Sequence, residues 1–520
     1  MKQSMWADQA KNRTLLIVYL LIFILWLAFS LRLIYVRRVG PFADEYISML
    51  AMKSIVELGV PVLPSGLFYG PKALLHSYMG ALAMWLFGSS VFAIRFPSVL
   101  AGIAAVCFIY KAGRRWFSPM VGVSAAVALA WLSSAVEWGG RARMYSLLLL
   151  LCLMGAYFLI NGYMFTHNRW ERVLGMLVML LAVYAHTLAL IVFGGLVVGV
   201  MMSWLILPPK PKSILIPSFW EALVWLVFII GVIILDPMGG LWGAQVRLSD
   251  VAQGSLNIQS IQERSPYLLA FTHQFVVWPL WPLTILYAVG FINLSLRLIR
   301  RSSIPGDGVA LCLYVLILCA WVATSILSGL HDDRYLFEVL PFYLLLALRE
   351  LYLLIKSVRT SIKLKLSFGH ADTFVITGII SLLIIALFAP SIGQLVAKDT
   401  YGFAPAYFYV RDNWHSGDIV TTCLPPASQW ILGHVDYYVN QNGPESYKGD
   451  DIWIGVPLVN TREKFATILD NETRVWFVVE KLCWERQFDS DFQDTVHKNM
   501  QIAYNQKGML VFISKSNQMK

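Results

Sequence analysis

The stretch Pro41-Phe42-Ala43-Asp44-Glu45-Tyr46 places two adjacent carboxylates directly after the first long apolar segment, which runs from Leu15 to about Leu33. A charged pair so close to the hydrocarbon of a bilayer is costly unless it is paired, hydrated or used. A helical pattern resumes behind the pair, so one interpretation is that Asp44 is the N-cap and Glu45 lies in the first turn. Capping accounts well for one acid and leaves the other available for catalysis.

The composition is that of a polytopic membrane protein. Of 520 residues, 58% are hydrophobic and 14% are charged, whereas soluble domains are about 25% charged. The net charge is +10, but the segment from Lys398 onward carries 15 acids and 12 bases, which leaves +13 on the remainder. This asymmetry indicates membrane orientation. Because no basic run with interleaved aromatics occurs, we predict no nucleic-acid partner.

The hydrophobic pattern predicts about eleven transmembrane helices. Their approximate positions are 15–33, 92–110, 119–137, 145–165, one ending near 184, one ending near 208, 219–235, one ending near 297, 309–327, one ending near 349, and 374–395. Every predicted inner loop is basic, which places the N-terminus in the cytoplasm and the loop at about 37–92 outside. That loop contains two helical patterns, from Glu45 to Leu58 and from Lys72 to Phe87, which we expect to lie on the outer membrane surface. In the first, Ile47, Leu50, Ala51 and Leu58 share one face, and Lys53 and Glu57 form an i,i+4 pair on another face.

Beyond the last span the sequence changes character. Residues 1–396 are predicted as the transmembrane domain and 397–520 as a small extracytoplasmic α/β domain. Strand-like runs at 418–422, 474–479 and 509–513 are interspersed with helix-like runs at 461–469 and 489–499. Cys423 and Cys483 both fall in this domain, where oxidation can occur. The sequence leaves open whether they form a disulfide.

The predicted topology brings ionisable groups from unconnected segments to the outer face. They are Asp44, Glu45, Lys72, Glu137, Arg141, Arg143, His186, Arg247 and the cluster at 331–334. Arginines suit bidentate phosphate recognition and lysine supplies a point charge. A carboxylate beside them suits a general base that takes a proton from an attacking hydroxyl. Arg37 and Arg95 are predicted to be interfacial anchors that snorkel.

A series of short motifs follows the acidic pair in order. They are Pro71-Lys72, Trp85-Leu86-Phe87-Gly88, Arg95-Phe96-Pro97-Ser98, Arg114-Arg115-Trp116-Phe117, Arg141-Ala142-Arg143-Met144-Tyr145, Tyr184-Ala185-His186, and Arg334-Tyr335 with Pro341. Their order over most of the first 350 residues resembles the GT-C superfamily of polytopic glycosyltransferases. Within it, the pattern is similar to the branch that holds the protein O-mannosyltransferases and the lipid A aminoarabinose transferase.

This resemblance implies an inverting transfer of a hexose or pentose from a polyprenyl-phosphate sugar. Asp44 would be the base that activates the acceptor, with Glu45 as the alternative. The residues implied for the donor phosphate are Lys72, Arg141, Arg143 and Arg334. Further candidates for the pocket are His76, Tyr145, His186, His331, Asp333 and Tyr335.

The resemblance also has a departure and leaves alternatives. In the aminoarabinose transferase a metal-binding Glu precedes the lysine, whereas Pro71 stands there in this chain, so a divalent metal stays open and no metal site is assigned. The implied partners are a polyprenyl-phosphate-linked sugar, a glycan, lipid or protein acceptor, and membrane lipids. The expected location is a cell membrane, with the bacterial inner membrane favoured. A transporter or flippase of lipid-linked sugar is the alternative function, and a scaffold with a degenerate site is a third.

Overall fold

The computed structural model describes residues 2–207, 219–235, 269–327, 332–361, 371–397, 402–441, 446–447, 449–471 and 474–515, and most of these residues are helical. The helices before the tail are α1 (Lys2–Arg38), α2 (Ala43–Leu58), α3 (Gly70–Phe87), α4 (Val91–Trp116), α5 (Pro119–Trp131), α6 (Ser133–Gly139), α7 (Tyr145–Ile160), α8 (Arg169–Ala185), α9 (Ala189–Ile206), α10 (Phe219–Leu235), α11 (Trp281–Ile299), α12 (Asp307–Leu327), α13 (Leu340–Ser361) and α14 (Ala371–Ala397). A π-helical turn, Asn161–Phe165, continues α7, and a 3₁₀ helix, Asp333–Val339, precedes α13.

A helix lies at each of the eleven predicted spans. Among the described residues, seven helices are long and apolar enough to cross a membrane, and eight if α5 and α6, which meet at a bend of 63°, form one span. The chain is therefore a multi-pass membrane protein. The count of eleven stays a prediction, because α8 and α10 are only 17 residues long and α13 contains several charged residues.

Some basic residues of the predicted inner loops are held in buried ion pairs. Arg297 and Arg349 both bond to the buried carboxylate of Asp307, the former at 3.0 Å. Arg172 pairs in the same way with the buried Glu221 on α10. A buried carboxylate is costly without a partner, so these arginines tie neighbouring helices together.

The two helices predicted in the loop at about 37–92 are confirmed as α2 and α3, whereas their position on the outer membrane surface stays a prediction. On α2, Ile47, Leu50 and Ala51 are buried as expected, and Lys53 pairs with Glu57 at 3.7 Å. Leu58, which belongs to the same predicted face, is 69% exposed. It is the last helical residue before Gly59, whose left-handed conformation ends the helix beyond the packed part.

The tail forms a small domain around a mixed sheet. Its strands are β1 (Ile419–Thr422), β2 (Tyr437–Val439), β3 (Ser446–Tyr447), β4 (Asp450–Asp451), β5 (Leu458–Val459), β6 (Val475–Glu480), β7 (Met500–Gln506) and β8 (Met509–Ser514). Its helices are α15 (Ala404–Asn413), α16 (Pro425–Leu432), α17 (Arg462–Asn471), α18 (Lys481–Gln487) and α19 (Ser490–Asn499). The six-stranded sheet has the order β5-β2-β1-β6-β8-β7, in which β5, β2, β1 and β6 are parallel. Strands β8 and β7 add an antiparallel edge, and β3 and β4 pair separately. The predicted strands and helices of the tail are confirmed, whereas the domain boundary at 396/397 stays a prediction.

The C-terminal domain packs directly on the first outer loop. Tyr46 of α2 lies edge-to-face on Phe403, with ring centroids 6.2 Å apart, and Tyr407 is buried in the same apolar cluster. Gly402 adopts a left-handed φ of 60°, and a Cβ at this position would lie 3.0 Å from the carbonyl oxygen of Pro41. The start of α2 is therefore enclosed between the helical bundle and the sheet domain.

Cys423 and Cys483 are free thiols in this structure. The two thiols lie side by side and share a hydrogen bond. This bond and burial both raise the pKa of Cys483. The Cys483 thiol also donates to Gln487 at 3.0 Å.

Candidate active site

Helix α2 begins two residues earlier than a capping Asp44 requires. Phe42 is the N-cap residue, and its backbone N–H donates to the Glu45 carboxylate at 2.8 Å. Glu45 therefore performs the reach-back half of a capping box. The interpretation of Asp44 as the N-cap is wrong, and Asp44 lies inside the first turn, with its carboxylate 29% exposed.

Glu45 is fully enclosed and fully bonded. Arg95 donates to both carboxylate oxygens at 2.8 Å, and the backbone N–H of Ala142 donates at 2.7 Å. Burial opposes ionisation, but Arg95 and the backbone N–H groups of Ala142 and Phe42 hold the pKa of Glu45 below its ordinary value. These four bonds leave little of its carboxylate for an acceptor hydroxyl. The catalytic prediction for Glu45 stays untested, but the geometry favours a positioning role.

Arg95 is not the snorkelling anchor that the sequence suggested. Its side chain is completely buried and also donates to the carbonyl oxygens of Val39 and Gly40, at 2.6 and 3.1 Å. Through Glu45 it ties together the end of α1, the start of α2 and the loop that contains Ala142. This cluster fixes the position of the neighbouring Asp44.

The carboxylate of Asp44 lies between two arginines from distant parts of the chain. Arg334, in the 3₁₀ helix before α13, donates to Asp44 Oδ2 at 2.6 Å. Arg143, in the loop before α7, approaches the same oxygen at 3.4 Å. Three of the residues predicted for the site are thus brought together, although they are separated by about 100 and 190 positions in the sequence.

Arg143 is held by several groups besides Asp44. Its Nη1 donates to the Asp44 carbonyl oxygen, Ser48 Oγ and the Tyr69 hydroxyl, at 3.0–3.1 Å. Burial works against its charge, but Tyr69, Asp44 and Tyr145 more than compensate and raise the pKa of Arg143. The guanidinium is therefore a fixed, permanently charged donor. Sequence patterns gave no sign of Tyr69, because a lone tyrosine between turn residues has no distinctive periodicity.

The aromatic ring of Tyr145 lies beneath both arginines. The guanidinium carbons of Arg143 and Arg334 are each 5.9 Å from its centroid, and that of Arg334 is 5.4 Å from the ring of Tyr335. Both tyrosines were predicted for the pocket. Asp332, part of the predicted cluster at 331–334, caps the 3₁₀ helix and pairs with Arg334 Nε at 3.1 Å.

Arg141 makes different contacts, although it is only two residues from Arg143. Its guanidinium bonds to Glu137 and to the Tyr35 hydroxyl, and lies 4.8 Å from the ring centroids of both Phe42 and Trp138. Alternate residues of the short loop therefore point to opposite sides. The phosphate-binding prediction for Arg141 stays untested, and these contacts favour a role in holding the loop.

Two predicted histidines belong to the surroundings of the arginines. His76 is fully buried and shares a hydrogen bond of 3.0 Å with Ser98, whose hydroxyl donates to the Arg143 carbonyl oxygen. Burial, aided by Arg143, lowers the pKa of His76 to about 3, so the imidazole is neutral at physiological pH. His186 ends α8 with its ring centroid 6.0 Å from that of Tyr145.

The remaining predicted residues are only partly described by the structure. The side chain of Lys72, near the start of α3, and the whole of His331 lie outside the described part of the chain, as does Arg247. Asp333 is described and its side chain is exposed. Within the described residues, no group of three or more His, Cys, Asp or Glu side chains is placed to hold a metal ion. The question of a divalent metal stays open.

Comparisons with known proteins agree with this architecture. Residues 71–235 match the model of the dolichyl-phosphate-mannose-protein mannosyltransferase family. The structure of ArnT from Cupriavidus metallidurans, bound to undecaprenyl phosphate, superposes with a TM-score of 0.62 over 97% of this chain and 98% of that chain, at 14% sequence identity. The chain has the GT-C fold. No curated protein sequence matches it.

A second solved structure with the GT-C fold extends the likeness. The oligosaccharyltransferase AglB from Archaeoglobus fulgidus, in complex with an inhibitory peptide and a dolichol-phosphate, superposes with a TM-score of 0.56 at 11% identity, covering 98% of this chain and 75% of that chain. The sequence-based resemblance to polyprenyl-phosphate-dependent glycosyltransferases is confirmed at the level of fold. At such low identity these structures assign no role to single residues, so roles depend on the geometry around Asp44.

Proposed function

We propose that this protein is an inverting glycosyltransferase that moves a sugar from a polyprenyl-phosphate donor to a hydroxyl group of an envelope acceptor. The observation that carries the proposal is the carboxylate of Asp44, which lies between Arg143 and Arg334 at the edge of the bundle. One carboxylate beside two fixed cations is what a general base next to a phosphate site requires. The GT-C fold and the mannosyltransferase match support the same class of reaction.

The reaction needs one proton acceptor and one stabilised leaving group. Asp44 would take the proton of the acceptor hydroxyl while the hydroxyl oxygen attacks the anomeric carbon of the donor sugar. The bond between that carbon and the phosphate oxygen breaks, and polyprenyl phosphate leaves with the electron pair. Arg143 and Arg334 would stabilise the negative charge that grows on the phosphate. Attack opposite the leaving group inverts the configuration at the sugar.

The ion pairs of Asp44 suggest how the base is released. A carboxylate bonded to two guanidinium groups is a poor base, because both cations stabilise its charged form. A donor phosphate competes for the same arginines and carries more acceptor oxygens than a carboxylate does. Donor binding would therefore loosen Asp44 from Arg334 and Arg143 and leave its carboxylate free to accept a proton. We expect acceptor activation to follow donor binding.

The transporter alternative gains no support from the helices. Broken helices in matching positions of two halves are typical of many transporters. Within the described part of the chain, one pair of apolar helices, α5 and α6, is bent in this way, and no matching second break accompanies it there. Turnover of the donor therefore provides the test that separates a transferase from a passive carrier.

Substitution of Arg143 by alanine is expected to weaken donor binding by about ten- to a hundredfold, since charge-assisted hydrogen bonds are worth roughly 1.5–3 kcal/mol. Turnover should fall as well, because the arginine also stabilises the leaving phosphate. Arg143→Lys should restore binding only in part, since an ammonium lacks the planar fork. Donor affinity and the release of polyprenyl phosphate are measured on the purified protein, with the exposed Arg411→Ala as control. Donor binding that depends on Arg143, without release of polyprenyl phosphate by the wild-type protein, would indicate a carrier.

The orientation of the site can be tested separately. The basic inner loops predict that the Asp44 loop and the C-terminal domain face away from the cytoplasm. A cysteine introduced at the exposed Leu67 or at the exposed Glu485 should gain a membrane-impermeant maleimide label in intact cells. A cysteine at the exposed Arg300, after α11, should be labelled only after permeabilisation. Labelling of Arg300→Cys in intact cells, or protection of either outer reporter, would reverse the assignment.

A further inference from the structure

The sheet of the C-terminal domain has a topological switch point. After β1 the chain passes through β2 and β5 on one side of β1, and then returns to β6 on the other side. All four of these strands are parallel, so their carboxyl ends lie at one edge. In open α/β sheets, ligands bind in the crevice outside the carboxyl ends at such a reversal. The fold therefore predicts a ligand site at the carboxyl ends of β1 and β6.

A pocket of about 240 Å³ lies at this edge, and we call it the strand-end pocket. Tyr438 and Asn440 come from the end of β2, Glu480 is the last residue of β6, and Gln487 ends α18. The adjacent thiols of Cys423 and Cys483 form part of its wall. This size suits a single sugar residue better than a lipid chain.

The chemistry of the strand-end pocket favours an uncharged polyhydroxyl ligand. None of the described residues that line it is basic, so a phosphate or carboxylate would enter without a counter-ion. The side-chain carboxylate of Glu480 makes no hydrogen bond or ion pair with the residues that the structure describes, and burial raises its pKa above the ordinary value. A carboxylate beside two carboxamides offers acceptors and donors that match neighbouring hydroxyl groups.

The strand-end pocket also lies beside the base. Its wall includes Ala43, the residue before Asp44, together with Phe403, on which Tyr46 packs. Pocket and carboxylate therefore flank the first turn of α2. A helix with its side chains is about 10–12 Å across, so a ligand that extends around this turn spans about one or two sugar residues.

We propose that the strand-end pocket is an acceptor subsite that binds an uncharged sugar residue of a glycan, next to the residue whose hydroxyl is deprotonated by Asp44. The inference rests on the proposed glycosyl transfer and specifies its acceptor class. Glu480 and Asn440 would hold the bound residue, and the neighbouring sugar would extend to Asp44. Phosphorylated lipid headgroups, which would enter without a counter-ion, are thereby excluded from this subsite.

The first experiment measures occupancy without turnover. Glycans released from the envelope of a strain that lacks this protein contain the unmodified acceptor, and are separated into neutral, anionic and peptide-linked fractions. Each fraction is added to the full-length protein, and N-ethylmaleimide is then used to alkylate Cys483 at mildly alkaline pH. Mass spectrometry measures the extent of alkylation at each cysteine over time. We expect the neutral fraction to slow alkylation of Cys483 and not of a reference cysteine introduced at the exposed Leu67. Protection by the anionic or peptide-linked fraction instead, or by none, would overturn the proposal.

The second experiment uses matched variants. Glu480→Gln should weaken protection by the neutral fraction about tenfold or more, because a hydrogen bond to a charged group is lost. Glu485→Gln, an exposed acid five residues away, should leave it unchanged. In transfer assays, Glu480→Gln should raise the acceptor KM while donor affinity stays the same. A wild-type protein without donor turnover would refute the glycosyl transfer itself, whereas normal turnover with an unchanged acceptor KM in Glu480→Gln would refute only the subsite.

Discussion

Replacement of Asp44 by asparagine is expected to lower turnover by about 100- to 10,000-fold, the usual contribution of a general base, without unfolding the protein. Asparagine keeps the size of the side chain and can still accept a hydrogen bond from Arg334, which now bonds to Asp44 at 2.6 Å. It cannot take the proton of the acceptor. Donor affinity should stay the same or increase, since a competing negative charge has been removed from Arg143 and Arg334. The measurement pairs donor binding with the release of polyprenyl phosphate.

The matched control for this substitution lies on the same helix. Glu57→Gln makes the same acid-to-amide change on α2, where Glu57 is exposed and pairs with Lys53 at 3.7 Å. Such exposed pairs contribute little to stability, so this variant should turn over normally. Near-normal turnover in Asp44→Asn, with donor binding verified, would show that another group is the base. Loss of donor binding together with turnover would instead assign Asp44 a structural role.

The helical architecture could be predicted because it depends on local patterns. Long apolar runs in the sequence mark the helices, and a helix is present at each predicted span. The i,i+4 spacing of Lys53 and Glu57 likewise predicted their ion pair. Leu58 shows the limit of the same reasoning. Periodicity identifies which face a residue occupies, but not how far along the helix the packing partner extends.

The site was predicted in part, and the errors have a common cause. Asp44, Arg143 and Arg334 were selected as ionisable groups on one face of the membrane, and they do meet. The pairing of Glu45 with Arg95 was missed because the two lie 50 positions apart and each had an acceptable local explanation, capping for one and snorkelling for the other. Both residues lie near the same predicted membrane face. An acid and a base in such a position can be considered as a pair, and that would have revealed the contact between Glu45 and Arg95. Tyr69 offered no signal, because an uncharged residue that completes a charged site leaves no mark in composition or spacing.

We expect the two adjacent acids to have different roles, with Asp44 in catalysis and Glu45 in positioning. The thermal stability of variants tests this difference. Glu45→Gln is expected to cost about 3–5 kcal/mol, the usual penalty when one partner of a buried ion pair is removed, because Arg95 would be left charged with its side chain fully buried. The melting midpoint of the purified protein should fall far below that of Asp44→Asn. Activity per folded molecule should decline much less than in that variant.

A double-substitution cycle separates this role from catalysis. In Glu45→Gln combined with Arg95→Gln, neither residue carries a charge, so no buried charge is left uncompensated and the destabilisation should be smaller than the sum of the two single changes. A purely catalytic Glu45 predicts the reverse pattern, in which Glu45→Gln melts normally and loses turnover, and Arg95→Gln does not restore it. The two bonds of 2.8 Å between these side chains, together with the backbone donors of Phe42 and Ala142, favour the first outcome. Glu45 then acts by fixing the first turn of α2, which holds the Asp44 carboxylate within reach of Arg143 and Arg334.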